Sequence, residues 1–415
     1  MPRTKSRIWR LTAVLLAGTM LLAACGSDEE EASPGTTGGE KECTQTHTAK
    51  IALIVPLSGS LSALGLGMKN SVDLAVKQAN EECRIDGWKL EFTPEDDTAT
   101  ANVGAQVATK VASDAATVAV IGTLNSSVAQ QVQPILNQAK ILMISPANTG
   151  VALTGRDNLA AQKRPFETYF RVATTDDIQG PFAANYAYED AKAKKVAVIH
   201  DKKTYGQGLA EAFAAQFKKK GGTVVATETV NPGDKDFSAV LSKIKPLAPD
   251  LIYYGGEYPE AGLISSQAEQ QGIKAPLMGG DGIYDGTYIK TGGTATEGDL
   301  ATSVGAPAEQ LDSAKDFIKE YEAAGYAEPF SAYGAYAYDA ANVIINALAK
   351  ALKGKDSLTP EVREAVIDAV QDTDFDGVTG KVSFDKFGDT TNKTLTVYKV
   401  TSGKWAPAKT GELES

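Results

Sequence analysis

Histidine is nearly absent from this chain: two occur in 415 residues, His47 and His200, beside only three cysteines. Zinc centres draw their ligands mainly from these two residue types, so a convincing metal site cannot be assembled and no cofactor is expected. The chain also lacks a G-x-S-x-G elbow, a Walker loop and a suitably placed G-x-G-x-x-G turn. Basic residues are too few for a nucleic-acid binder: 41 Lys and Arg stand against 52 Asp and Glu, a net charge of −11. Long apolar runs are missing as well. The stretch 11–24 is too short to cross a bilayer. These absences exclude the common enzyme classes, nucleic-acid partners and integral membrane proteins. A 43% hydrophobic, 22% charged composition at this length suits two globular domains.

The N-terminus is the most specific short signal. Arg3, Lys5, Arg7 and Arg10 precede the apolar stretch, which ends in Leu22-Ala23-Ala24-Cys25. A basic start, a short apolar run and small residues before the cut describe a signal peptide. A cysteine directly after them resembles the lipobox of bacterial lipoproteins, in which Cys25 becomes the lipidated first residue. Residues 1–24 are therefore expected to be a leader and 25–49 a flexible tether rich in Glu, Gly, Thr and Ser. The expected location is extracytoplasmic, on the membrane through acyl chains. Cys43 and Cys83 would then lie in an oxidising compartment. In a right-handed βαβ unit the end of the first helix returns near the start of its strand, so a Cys43–Cys83 bridge is geometrically plausible; two free thiols are the other reading.

From Lys50 onward, short apolar runs alternate with amphipathic stretches. Strands are expected at 51–55, 89–93, 118–121, 141–144, 196–200, 224–229, 251–254 and 277–279, with late strands at 381–385 and 395–400. In 68–80, Met68, Val72, Ala75, Val76 and Ala79 recur at three- and four-residue spacing and form one apolar helix face. Strands apolar throughout fit a parallel sheet covered on both sides. The pattern predicts doubly wound α/β architecture, with ligands bound beyond the carboxyl ends of the strands.

The loops following those strands carry a family resemblance. The run Ile51 to Gly59 (IALIVPLSG), then Ile141 to Pro146 (ILMISP), then Val198-Ile199-His200-Asp201 with Tyr205-Gly206, and Tyr253-Tyr254-Gly255-Gly256 with Tyr258-Pro259-Glu260 resemble the leucine/isoleucine/valine-binding protein family. The resemblance runs from about residue 50 to the C-terminus. It implies a type I periplasmic binding fold: two doubly wound Rossmann-like lobes joined by a multi-strand hinge, one at 50–175 plus 305–393 and the other at 176–304 plus 394–415. It also implies an ABC-importer component for an amino acid, branched-chain by family default, that acts as a monomer and partners a permease and its ATPase subunits. A sensing module of the same fold, reporting to a separate receptor, is the other functional reading.

The residues matching the family's ligand site are Ser126, Ser127 and Thr149 for the carboxylate, and the Ala147 carbonyl and Asp281 for the ammonium. Tyr205 would cover the ligand backbone. Ser126 and Ser127 open an expected helix, whose first-turn N–H groups suit an anion; Ser126 as a plain helix cap is the alternative. Three positions depart from the family. Asp281 replaces the usual Glu, Leu64 stands where an aromatic residue often packs on the ligand, and Glu257 stands where an aromatic commonly lines the second lobe. A carboxylate there must be solvated or paired; facing the cleft, it would favour a ligand with a second positive group. Two weaker patterns read as coincidence: Ser242-Lys243-Ile244-Lys245 with Lys290-Thr291-Gly292, and the calcium-loop-like Asp372-x-Asp374-x-Asp376-Gly377.

Overall fold

The computed structural model describes residues 44–158 and 163–413. The leader, Cys25, Cys43 and the tether that joins them lie outside the described residues. The first lobe is built on β1 (Gln45–Val55), β2 (Gly87–Asp96), β3 (Thr117–Gly122), β4 (Leu142–Ser145) and β5 (Tyr169–Arg171). They form one parallel sheet in the order β2-β1-β3-β4-β5. Between them run α1 (Ser62–Glu81), α2 (Ala101–Ser113) and α3 (Ser126–Gln138). The strand alternation sorts side chains to two faces. Ile51, Leu53 and Val55 pack in the core that contains Leu64, Met68 and Val72 of α1, while Ala52 and Ile54 meet Val128 and Val132 of α3. That double coverage is why β1 is apolar along its second half.

The second lobe repeats the plan. Helix α4 (Asp176–Glu189) leads into β6 (Lys195–His200), α5 (Thr204–Lys219), β7 (Thr223–Thr229), α6 (Ser238–Ile244), β8 (Leu251–Gly255), α7 (Tyr258–Gln270), β9 (Leu277–Gly279), α8 (Gly286–Gly292) and β10 (Leu300–Val304). The chain then forms α9 (Lys315–Ala323), α10 (Gly334–Ala351) and α11 (Pro360–Gln371), and α10 packs against α1 of the first lobe. A hairpin of β11 (Asp374–Gly377) and β12 (Gly380–Ser383) follows. Finally β13 (Leu395–Thr401) and β14 (Lys404–Gly411) return to the second sheet, whose order is β14-β13-β10-β9-β8-β6-β7. The strands from β6 to β10 are parallel; β13 and β14 are antiparallel additions.

Several elements differ from the sequence reading. β1 starts at Gln45, so 45–49 is strand where tether is expected; it pairs with β2 from Gly87, and the His47 ring tilts onto Trp88 with 5.0 Å between centroids. β5, β10, β11 and β14 lie outside the expected strands. The first has three residues and ends in Arg171, and β14 is a largely exposed edge, so neither carries an apolar run. The acidic run resembling a calcium loop lies partly on β11, within a hairpin, where Lys381 pairs with Asp374. Among the described residues no group of three His, Cys, Asp or Glu side chains is arranged to hold a metal, and no helix is long and apolar enough to cross a membrane. Cys83, two residues past the end of α1, is disulfide-bonded. His200 is a structural residue, accepting from the Lys202 N–H at Nδ1, 3.2 Å.

Candidate functional site

Each parallel sheet reverses its winding direction once, between β1 and β3 in the first lobe and between β6 and β8 in the second. A crevice opens beyond the strand ends at such a reversal. The two crevices face each other across a narrow cavity of about 20 Å³. Its walls are Leu64, Leu124, Asn125, Ser126, Ala147 and Tyr333 on one side, and Tyr205, Glu257, Asp281 and Gly282 on the other. Six of the residues expected from sequence are thus gathered: Leu64, Ser126, Ala147, Tyr205, Glu257 and Asp281. Ser127 is half-buried and does not line the cavity. Thr149 is fully buried close by, and its hydroxyl has no partner.

The first-lobe wall suits an anion. Helix α3 begins at Ser126 with Asn125 as its N-cap residue, and no side chain caps its first turn. Ser126 Oγ accepts from the Gly150 N–H at 3.2 Å, which leaves its own proton to donate. The Thr149 hydroxyl makes no hydrogen bond of ordinary geometry but lies beside the Asp176 carboxyl, so it could donate to a ligand in competition with Asp176. Their spacing is held by a buried cation. Arg171, fully buried, donates to the Asn148 and Gly150 carbonyls that flank Thr149 (3.2 and 2.8 Å) and to Asp389 at 2.6 Å. Asn148 in turn donates to the Leu124 carbonyl at 2.8 Å, tying the loop after β4 to the loop after β3.

The second-lobe wall suits a cation. Asp281 is buried and receives hydrogen bonds from Gln179 (2.9 Å), Tyr205 (2.8 Å) and Tyr333 (2.7 Å). Burial pushes its carboxyl up from the ordinary Asp range, while the three donors pull it back. Asp176, at the start of α4, is fully buried with both carboxylate oxygens unpartnered; burial, then the neighbouring Asp281, holds it well above the usual range. Two neighbouring buried carboxyls, with the Arg171 charge already acting on Asp176, would be relieved further by a ligand ammonium.

Glu257 does face the cavity, and it is paired. Lys203 binds its Oε2 at 2.7 Å, and Asn125 of the opposite lobe donates to its Oε1. Further bonds bridge the lobes: the Tyr258 hydroxyl donates to the Ser60 carbonyl (2.5 Å) and Thr204 to Gln130 (3.0 Å). Together with Tyr333 to Asp281, these describe a closed cleft. Sequence reasoning missed Asn125, Tyr333, Asp176 and Arg171. Asn125 stood in a loop already singled out beside Ser126, but Tyr333 precedes a distant helix, α10, and only the fold brings it here. A larger cavity of about 280 Å³, bordered by Tyr284, Tyr336, Tyr398 and Trp405, has no such pairing of charges. Helix α8, which starts there, is already capped by Asp285.

A family model described as periplasmic binding protein matches residues 48–404. The Leu/Ile/Val-binding protein homolog 3 of Brucella melitensis is 34% identical over 355 residues, 85% of this chain and 92% of the relative. The leucine-, isoleucine-, valine-, threonine-, and alanine-binding protein of Pseudomonas aeruginosa is 33% identical over 352 residues, 85% of this chain and 90% of the relative. Among solved structures, a leucine-binding protein from Thermotoga maritima is similar with a TM-score of 0.77 at 30% identity, covering 87% of this chain and 98% of that one. A branched-chain amino acid transporter substrate-binding protein from Streptococcus pneumoniae, in complex with isoleucine, is similar with a TM-score of 0.77 at 31% identity, covering 88% and 99%. With two doubly wound lobes closed on a cavity at their winding reversals, and a family match over most of its length, this chain belongs to the periplasmic binding protein family.

Proposed function

We propose that this protein is the extracytoplasmic solute-binding component of an ABC importer and carries an amino acid to a membrane permease. It is a binding protein and not an enzyme. The observation that carries the reading is the polarity of the cavity. One wall offers an uncapped helix start with Ser126 and, beside Asp176, the Thr149 hydroxyl; the other offers the buried carboxyls of Asp281 and Asp176. A zwitterion placed between them would have its carboxylate at α3 and its ammonium at Asp281 and the Ala147 carbonyl, with Tyr205 over its backbone. The relatives' names, which specify leucine, isoleucine and valine, support a small aliphatic amino acid as the first ligand to try.

The finer assignments belong to the same reading. Cys25 would be lipidated, with 26–44 as tether, and Cys43 would be the partner of Cys83. The hinge would divide the chain into 50–175 plus 305–393 and 176–304 plus 394–415, and the protein would act as a monomer. A titration of the portion from Gly26 onward against the twenty amino acids, followed by thermal unfolding, tests the function. A ligand that binds only the folded state stabilises it by about 4 kcal/mol at a thousandfold excess over Kd. If no amino acid shifts the transition, the reading fails.

A further inference from the structure

Across the cavity from the α3 N-cap to the second lobe, Asn125, Glu257 and Lys203 form a chain of polar contacts. Asn125 Nδ2 donates to Glu257 Oε1 and Lys203 Nζ to Glu257 Oε2. The Glu257 acceptor fixes which way the Asn125 amide points, because its oxygen would otherwise face a carboxylate. Asn125 is 5% exposed, it lines the cavity, and its Oδ1 is buried with no partner. Glu257 lines the same cavity and retains acceptor capacity on both oxygens. Asn125 Nδ2 keeps one further N–H, but the one atom of the pair that is buried wholly without a partner is an acceptor, Asn125 Oδ1. A buried acceptor left without a donor is costly, and an aliphatic tip against it would leave that cost in place.

We propose that the Asn125–Glu257 pair is a side-chain subsite that selects a small amino acid whose side chain ends in a hydrogen-bond donor, over the aliphatic amino acid of the same shape. The proposal rests on the amino-acid reading above and deepens it. Leu64 and Leu124 supply the apolar part of the wall, so the donor must sit on a short side chain. Lys203 already occupies one Glu257 oxygen, so a hydroxyl or amide completes the set without requiring a further charge.

The test compares isosteric pairs by calorimetry on the unaltered protein: threonine with valine, asparagine with leucine, and 2,4-diaminobutyrate with norvaline. The donor-bearing member is expected to bind roughly tenfold more tightly in at least one pair, the worth of one bond to a charged or otherwise unsatisfied acceptor. Preference for diaminobutyrate alone would identify the donor as an ammonium. If no donor-bearing member exceeds its aliphatic partner by about threefold, the subsite is overturned while amino-acid binding stands. If no amino acid binds at all, the functional reading itself falls, and the inference with it. Asn125→Leu provides a second readout. Its side chain caps nothing on α3, so the variant is expected to fold, and it should erase the ranking within each pair.

Discussion

Thr149 and Ser126 show why a single hydroxyl matters in this cleft. The Thr149 Oγ1 is buried beside Asp176 without a hydrogen bond of ordinary geometry, and a ligand carboxylate would satisfy it. Thr149→Ala and Ser126→Ala are each expected to weaken ligand binding by roughly ten- to a hundredfold, the loss of one bond to a carboxylate, with little change in unfolding midpoint. Calorimetric Kd values with the preferred ligand check this; unchanged affinity in both would remove the carboxylate assignment. Asp281 permits a stricter experiment. In Asp281→Asn, Gln179 and Tyr205 can still donate to the remaining oxygen, and the Tyr333 hydroxyl can turn to accept from the new amide. The variant should therefore keep its fold and lose affinity at least tenfold, because only the charge facing the ammonium has gone.

At the scale of elements, the site depends on two close approaches. Arg171 at the end of β5 holds the Thr149 loop through two carbonyls and is itself held by Asp389, both fully buried. Asp389→Ala leaves that guanidinium uncompensated and is expected to cost about 3–5 kcal/mol of stability, measured by urea unfolding. A loss below about 1 kcal/mol would mean that the pair is not what positions the loop. Across the cleft, the start of α5 lies directly on the end of β8. A Cβ at Gly255 would sit 2.0 Å from the Gly206 carbonyl oxygen, and one at Gly206 would sit 2.5 Å from the Gly255 carbonyl oxygen. Gly255→Ala must push α5 outward and carry Tyr205 away from Asp281. Destabilisation of about 1–3 kcal/mol, together with weaker binding, is expected.

For the whole molecule, acidity is the property with the widest consequence. Burial, the largest cause in each case, pushes Asp97, Asp201 and Asp299 up to about 7. A carboxyl raised in the folded state binds its proton to higher pH than in the unfolded chain. Its contribution is fully present below about pH 4 and is lost as pH rises through about 7. The ligand-free protein should therefore resist urea better at about pH 5.5 than at about pH 8. Asp97→Asn should flatten that slope, since one Asp97 oxygen is buried without a partner. Stability that rises over this interval would contradict the assignment. The same scale governs closure. Tyr258 to Ser60, Thr204 to Gln130 and Asn125 to Glu257 are contacts that only the closed form makes, and a ligand shifts the open–closed balance only by what it adds to that form.

The sequence by itself determined the alternation of strands and helices, because a strand buried on both faces must be apolar and a helix against a sheet must repeat its apolar residues every three or four positions. It also determined that the polar loops after β3, β4, β6 and β8 would carry the site, since in a doubly wound sheet those ends are where a crevice opens. Short or exposed strands such as β5 and β14 left no such periodicity and were invisible. The tertiary structure alone decided that Glu257 is paired, by an asparagine 132 residues away and by Lys203. It alone brought Tyr333 to Asp281 and Arg171 to the Thr149 loop. Spacing along a chain constrains neighbours within an element; the partners of a buried charge come from whichever elements the fold places against it.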